Sequence, residues 1–224
     1  MALESQKAAS KLVDEGGEAV ERMTSLWNQY GRTALGVLGV VAVLAVGAYF
    51  YQRNRTTQEN AAAGRLAEAN VLYWQGDYAR STELAKQVAT QYPGTTSGSE
   101  SHRLQGDNAF WQGEFKNAVA EYRRYLDKAP DNVLTDAVRR SYAYALESDN
   151  QYAEGAKVYD SLVGKFDRVS SAEFLSAAAR CFRALGQPAE AIKRLQRVDT
   201  EFGETTYART ARVLIAELQA SIAK

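Results

Sequence analysis

Few residues in this chain could carry out chemistry. It contains a single histidine, His102, and a single cysteine, Cys181, and one histidine cannot form a metal site or a catalytic triad by itself. The sequence has no HExxH, P-loop or GxSxG motif and no paired cysteines. Cys181 lies beside Ala177–Ala179 and Phe182, which is typical of a buried structural thiol. The sequence therefore predicts no catalytic, metal-binding or cofactor-binding residues, and we do not expect an enzyme.

The charges of the chain balance. Lys plus Arg number 27, and Asp plus Glu also number 27, so there is no excess of positive charge with which to hold nucleic acid. Only three prolines and 16 glycines occur in 224 residues, which favours helices over a turn-rich β fold. We expect other proteins as partners.

One uncharged stretch divides the chain. Thr33–Tyr51 holds nineteen residues without a charge, and as a helix it would extend ~28 Å, close to the ~30 Å of bilayer hydrocarbon. Aromatic residues flank it on both sides, as they do at membrane interfaces. We interpret residues 33–52 as one transmembrane helix. A buried core helix would keep a polar edge over this length. A cleaved signal peptide would need a short basic leader instead of 32 residues with five acidic ones.

Small residues recur at every third position of this anchor: Gly36, Gly39, Ala42, Ala45 and Ala48. A ridge of small side chains allows a second helix to approach closely in lipid, so these residues predict packing against another membrane helix. Glycine and alanine are common in all membrane helices, and a lone anchor that contacts only lipid is the alternative. The anchor contains no charge, which argues against transport.

The segments around the anchor complete the N-terminal part. Residues 1–32 predict an amphipathic arm, since apolar residues recur at helical spacing from Ala19 onward. Residues 53–60 form a connector without proline, through which the anchor helix could continue into the body. Two arginines precede the anchor and three follow it within about twenty residues. The charge bias therefore does not decide the orientation in the membrane.

The body is an internal repeat. Gly76, Gly113, Asn150 and Gly186 mark equivalent positions, with spacings of 37, 37 and 36 residues. A small residue follows each of them five positions later, and a residue that is apolar or tyrosine follows twelve positions later. The pattern predicts a helix that ends at the Gly or Asn, a tight turn, and a second helix whose small residue packs closely against the first.

The three prolines fit the ends of these second helices. Pro93 and Pro130 are predicted to stop the second helix of their repeats, because proline cannot continue a helix. Pro188 is predicted to occupy the first turn of a second helix, where its missing N–H has no helical partner to lose.

The repeat resembles the tetratricopeptide repeat. The second unit carries the signature at Gly106, Ala109, Gly113, Phe115, Ala118, Tyr122 and Pro130. The first and third units have Ser81 and Gly155 in place of the usual alanine, and the fourth has Pro188 where an aromatic is usual. The resemblance implies an all-α fold, a right-handed solenoid of four helix hairpins over residues 61–204 that follows the transmembrane helix.

A capping helix is expected over residues 205–224, because solenoids need one at their ends. Its apolar residues predict a single buried face: Tyr207, Ala211, Leu214, Ile215, Leu218 and Ile222.

The resemblance also implies a partner-binding groove formed by the first helix of each repeat. Its candidate residues are Tyr73, Trp74, Arg103, Asp107, Phe110, Trp111, Arg140, Tyr144, Arg180 and Arg183. Aromatic residues at one end and arginines at the other suit a peptide or helix with an apolar part and an acidic part. In the alternative interpretation, Trp74 and Trp111 close the turns between helices. Leu66 takes the place of the first lysine of carboxylate-clamp repeats, so that mode of binding is not expected.

The layout of a short arm, one membrane helix and repeats resembles the YfgM-like family. That resemblance implies a single-pass inner-membrane protein with periplasmic repeats, an adaptor of the bacterial cell envelope that recruits client or chaperone proteins to a membrane complex such as the translocon. The alternative is a constitutive, non-catalytic structural subunit of a large translocon, respiratory or photosynthetic assembly. Both functions need an anchor and a protein-binding solenoid, so the sequence does not choose between them.

Overall fold

The computed structural model describes residues 2–129 and 133–222, with side chains described at residues 17, 20–33 and 35 onward in those ranges. Every regular element within them is a helix, which confirms the predicted all-α fold. The helices are α1 (Ala2–Trp74), α2 (Tyr78–Gln91), α3 (Thr96–Trp111), α4 (Phe115–Leu126), α5 (Val133–Ser148), α6 (Tyr152–Leu162), α7 (Arg168–Ala184), α8 (Pro188–Glu201) and α9 (Thr206–Ile222). From α2 onward, consecutive helices pack against one another in chain order.

The chain divides into two units, residues 1–56 and residues 57–224. The first unit lies within α1, and the described side chains from residue 35 to its end are all exposed. By length and composition, the part of α1 that begins at Leu35 contains a stretch able to cross a membrane. These exposed side chains do not fit a core helix, because a core helix is covered by its own protein.

The predicted turn positions share one unusual backbone conformation. Gly76, Gly113 and Gly186 have φ angles of 78°, 76° and 68°, and Asn150 has a φ of 60°. This left-handed region is open to glycine and tolerated by asparagine. Each of these residues lies two positions after the end of the first helix of its hairpin. The predicted sequence of helix, tight turn and second helix is therefore confirmed in all four repeats.

Small residues occupy the helix crossings inside the hairpins. Ser81, Ala118 and Ala191 are fully buried, and Gly155 is buried as well. Seven positions later the residues Val88, Tyr125, Leu162 and Val198 are at most 5% exposed. Pro188 stands at the start of α8, as predicted. Pro93 follows the Tyr92 cap of α2, whereas Pro130 lies outside the described residues.

The last helix, α9, covers the end of the repeat body. Ala211 belongs to the core cluster of α7 and α8, and four partly buried residues of α9 pack against it: Tyr207, Leu214, Ile215 and Leu218. Ile222 was expected on the same face, but it is 54% exposed. It is the last residue of α9.

Candidate protein-binding groove

The side chains that could take part in catalysis or metal binding do not come together in one site. Among the described residues, no group of His, Cys, Asp and Glu could hold a metal ion. His102 Nδ1 lies 2.8 Å from Glu121 Oε2, an interhelical contact between α3 and α4. Cys181 is fully buried, and burial raises its pKa to about 12. Its thiol therefore stays protonated at neutral pH and has little nucleophilic character.

Two neighbouring cavities lie along the first helices of the repeats. The first, which we name the aromatic cavity, has a volume of about 260 Å³ and is lined by Tyr73, Asp107, Phe110, Trp111, Tyr122, Ser141 and Tyr144. The second, which we name the polar cavity, has a volume of about 280 Å³ and is lined by Glu100, Arg103, Asp107, Leu134, Ala137, Val138, Arg140 and Ser141. Asp107 and Ser141 line both, so the two cavities form one groove between α3 and α5.

The two tryptophans at the ends of α1 and α3 are exposed. Trp74 is 82% exposed and Trp111 is 61% exposed. The Trp111 indole Nε1 donates a hydrogen bond of 2.9 Å to the Tyr73 hydroxyl, which joins the first two repeats at the rim of the aromatic cavity. Side chains this exposed do not form part of the core that closes a turn. The structure therefore favours the groove position for Trp111, while Trp74 lines neither cavity.

Asp107 lies at the centre of the groove. Its Oδ1 accepts a hydrogen bond from the Tyr122 hydroxyl at 2.7 Å, and its Oδ2 accepts one from Arg103 Nη1 at 2.6 Å. Burial raises the pKa of the Asp107 carboxyl, and the attraction of Arg103 and the Tyr122 hydrogen bond oppose that rise without cancelling it. The interactions with Arg103 and Tyr122 thus offset only part of the free energy that the ionised carboxylate loses by desolvation.

The candidate arginines differ from the expectation of a free basic surface. Arg103 forms ion pairs with two carboxylates: its Nε lies 2.8 Å from Glu100 Oε2, and its Nη1 lies 2.6 Å from Asp107 Oδ2. Arg180 pairs with Glu147 at 2.9 Å. These carboxylates come from the same or the neighbouring first helix, so two of the four guanidinium groups are already neutralised. An acidic part of a partner would have to compete with these carboxylates at Arg103 and Arg180, and its binding there stays a prediction.

The other two arginines have no carboxylate partner within the described part of the chain. The Arg140 guanidinium lies 5.6 Å from the centroid of the Phe166 ring and lines the polar cavity. Arg183 is exposed near the end of α7 and lines neither cavity. Of the four candidate arginines, Arg140 is therefore the one that contributes an unneutralised positive charge to the groove, as far as the described residues show.

Seven of the ten candidate groove residues line the two cavities: Tyr73, Arg103, Asp107, Phe110, Trp111, Arg140 and Tyr144. Trp74, Arg180 and Arg183 do not. Sequence reasoning missed Tyr122, Ser141 and Glu100. Tyr122 was named only as a signature residue of the repeat, yet its hydroxyl donates a hydrogen bond to Asp107 across the hairpin. The signal that could have found Glu100 is its i,i+3 spacing from Arg103, which places the two on one helix face.

The small residues of the anchor have no protein neighbour within the described chain. Gly36, Gly39, Ala42, Ala45 and Ala48 are all exposed. A Cβ atom built on Gly36 or Gly39 would meet nothing within 4 Å. The ridge is therefore open to a second helix, and packing there stays a prediction.

Comparisons with known proteins agree on the fold. A family model described as a tetratricopeptide repeat-like domain matches residues 24–173, and one described as a tetratricopeptide repeat matches residues 175–205. The chain is similar to a crystal structure of nearly identical TPR-like repeats from Podosopora anserina, with 16% identity, a TM-score of 0.57, and coverage of 74% of this chain and 88% of that one. It is also similar to a tetratricopeptide repeat protein from Parabacteroides merdae, with 13% identity, a TM-score of 0.60, and coverage of 72% of this chain and 61% of that one. No curated protein sequence matches the chain.

Proposed function

Because the chain belongs to the tetratricopeptide repeat-like family, whose model matches residues 24–173, we propose that it is a membrane-anchored adaptor that recruits other proteins to a membrane complex of the bacterial cell envelope. A fold of this kind is a protein–protein interaction module and is typically non-catalytic. The observation that carries the proposal is the 61% exposure of Trp111 at the wall of the groove. Tryptophan is one of the residues enriched among those that dominate the binding energy of protein interfaces.

The membrane part of the proposal is supported by α1. Side chains 35–58 are exposed throughout, including the apolar ones of the anchor. An apolar surface of this length in water would be an aggregation hazard, whereas bilayer hydrocarbon covers it without cost. The family match begins at residue 24 and so includes the whole apolar stretch together with the first repeats. That extent is expected if anchor and repeats work as parts of one protein.

We place the protein in the inner membrane with its repeats in the periplasm. This placement rests on the resemblance to the YfgM-like family, since two arginines before the anchor and three after it do not decide the orientation. A reporter that is active only in the cytoplasm, fused after Lys224, is expected to be inactive. Reporter activity would reverse the orientation.

Site-specific photo-crosslinking in the full-length, membrane-bound chain tests the adaptor function. A photoreactive phenylalanine derivative at Gln112, the exposed neighbour of Trp111, is expected to capture a defined partner. The matched control is Lys116, which is exposed on α4, the second helix of the same repeat. Capture should be lost when Trp111→Ala is added. Equal capture from Lys116, or capture that survives Trp111→Ala, would contradict the groove as the binding surface.

Parallel membrane samples that have not been crosslinked separate the adaptor from the constitutive subunit. After gentle detergent extraction and sizing without crosslinking, an adaptor that binds transiently elutes alone. A permanent structural subunit instead elutes with its complex, and that result would replace recruitment by a structural role.

A further inference from the structure

The size of the aromatic cavity restricts what it can hold. Its volume of about 260 Å³ is below the roughly 300–1,000 Å³ that is typical of small-molecule sites. A single side chain of a partner polypeptide is an occupant of the appropriate size. The identity of that side chain depends on the charges and rings in the walls.

The charge of the aromatic cavity is negative. Its lining residues include one carboxylate, Asp107, and no cationic residue. Arg103, the ion-pair partner of Asp107, is shared with Glu100, so these three groups together carry one net negative charge. Arg140, the other nearby arginine, adds one positive charge to the groove, and its field reaches Tyr144. Its guanidinium lies over the Phe166 ring, however, and it lines only the polar cavity, so the negative charge is at the aromatic end. An incoming positive charge would therefore be attracted to the carboxylate end of this cavity.

Asp107 still has capacity to accept hydrogen bonds. It accepts one from Tyr122 and one from Arg103, and an ionised carboxylate offers about four acceptor positions. Burial raises the pKa of Asp107, and a cation bound beside it would lower that pKa again. Binding and ionisation of Asp107 thus favour each other.

The remaining walls suit a cation as well. Tyr73, Phe110, Trp111 and Tyr144 surround the cavity, and aromatic rings, tryptophan most of all, attract cations within about 6 Å of their centres. The rings are held before any partner arrives. The Trp111 indole donates a hydrogen bond to the Tyr73 hydroxyl, and the Tyr144 hydroxyl donates one of 2.7 Å to Glu173 Oε1. Walls fixed in this way reduce the ordering cost of binding.

We propose that the aromatic cavity binds the cationic side chain, lysine or arginine, of a partner polypeptide, with Asp107 as its counter-ion and the Trp111 and Tyr144 rings as its walls. The proposal deepens the proposed function and rests on it, because it assigns the partner chemistry of the same groove. An apolar side chain would also contact the rings, but it would make no use of the charge of Asp107. The comparison between a lysine and its uncharged isostere therefore decides the matter.

The experiment measures the indole N–H signals of the full-length chain in detergent by NMR. The chain has three tryptophans, so Trp→Phe variants assign each signal. Four short acetylated and amidated peptides, identical except for a central lysine, arginine, norleucine or glutamate, are titrated in turn. We expect the Trp111 signal to report binding of the lysine and arginine peptides about fivefold or more tighter than binding of the norleucine peptide. High salt should reduce this preference, since it screens the charge.

Asp107→Asn supplies the variant test. It should lower the ratio of lysine to norleucine affinity severalfold, because it removes the counter-ion and leaves only the attraction of the rings for a cation, while the affinity for norleucine should stay the same. The matched control is Glu147→Gln, because Glu147 accepts hydrogen bonds from Tyr159 and Arg180 as Asp107 does from Tyr122 and Arg103, yet lines neither cavity. The control should keep the lysine preference. Thermal unfolding of both variants verifies that they fold, and the salt series on the unmodified chain tests the charge without any substitution.

Three results would overturn the inference. They are norleucine binding as tightly as lysine, a lysine preference that high salt leaves unchanged, and a Trp111 signal that no peptide shifts. The adaptor function is tested separately, by the crosslinking experiment at Gln112. A partner captured there in the absence of a lysine preference would keep the groove and remove only its cationic occupant.

Discussion

The Glu59 carboxylate accepts hydrogen bonds from both the backbone N–H and the hydroxyl of Ser97, at 3.0 and 2.6 Å. Its second oxygen accepts the backbone N–H of Thr96 at 2.6 Å. These N–H groups belong to the first turn of α3, where no intrahelical acceptor exists and the helix dipole favours a negative charge. An acid of α1 thus caps a helix of the second repeat and joins the two repeats.

Glu59→Gln tests this long-range cap. The substitution keeps the shape but removes the charge, so we expect the free energy of unfolding to fall by about 0.5–2 kcal/mol, the range measured for loss of helix caps. Chemical denaturation followed by circular dichroism gives the value. Glu83→Gln is the control, because Glu83 is exposed on α2 and, among the described residues, accepts a hydrogen bond from Gln87 one turn later. Equal stability of the two variants would show that the cap contributes nothing.

Ser81→Ala restores the residue that the repeat signature prefers, yet we expect it to destabilise the protein. The buried Ser81 hydroxyl donates to the Ala69 carbonyl at 2.9 Å and accepts from Asn108 Nδ2 at 2.8 Å. Asn108 is fully buried, and its Oδ1 has no partner among the described residues. Removal of the Ser81 hydroxyl leaves the side-chain amide of Asn108 without its hydrogen bond to Ser81, and we expect the free energy of unfolding to fall by about 1–3 kcal/mol.

Thermal unfolding measures the effect of Ser81→Ala. Ser161→Ala is the matched control, since the exposed Ser161 hydroxyl bonds only to the Val158 carbonyl one turn earlier. A Ser81→Ala variant that is as stable as this control would mean that the polar contact between the repeats adds no stability.

Gly155→Ala makes the corresponding change in the third repeat and should have the opposite sign. A Cβ atom at Gly155 would lie 3.5 Å or more from its nearest neighbours, Leu146, Glu147 and Cys181, which is ordinary van der Waals contact. Alanine in a helix interior is favoured over glycine by up to about 1 kcal/mol. We therefore expect a gain of that size in the free energy of unfolding.

Gly106→Ala is the contrasting variant for the same measurement. A Cβ atom there would lie 2.7 Å from two carbons of the Tyr122 ring. The ring, whose hydroxyl donates a hydrogen bond to Asp107, would therefore have to shift. This variant should lose stability by about 1–3 kcal/mol, as overpacked cores do. If both variants gained stability, helix propensity and not space would control these positions. If both lost stability, Gly155 would lack the space that its neighbours indicate.

Ser81 and Gly155 show how far the sequence could predict this structure. The period of the repeat and the tight turn at Gly76 and its equivalents follow from local patterns, and the aromatic side of the groove was implied by the resemblance to the tetratricopeptide repeat. Both departures from the usual alanine looked alike in the sequence. Only the packed structure reveals that Ser81 has buried polar partners while Gly155 merely has room.

Long-range pairing was the other part that the sequence could not supply. Arg180 was expected to face a partner, but it meets Glu147 from the preceding repeat. Glu59 and Ser97 are 38 residues apart, and no spacing rule connects them. Such contacts depend on the angle at which neighbouring helices cross, which the pattern of apolar residues does not fix.

Removal of residues 1–52 tests the anchor. The repeat body from residue 57 forms its own packed unit, so the truncated chain is expected to be soluble and helical. The full-length chain should stay in the membrane fraction after a carbonate wash. A truncated chain that still pellets with membranes would show that something other than the apolar segment holds the protein there.

Trp111→Ala and Ala118→Leu act on the two faces of the second repeat. Trp111 is 61% exposed, so its loss should weaken association with a partner while leaving the melting temperature nearly unchanged. Ala118 is fully buried where the two helices of the hairpin cross, so leucine should force them apart and cost about 1–3 kcal/mol. Thermal unfolding and co-purification of both variants separate the roles. Were Trp111→Ala to lose the roughly 3–5 kcal/mol that a buried tryptophan contributes, Trp111 would belong to the core and not to the binding groove.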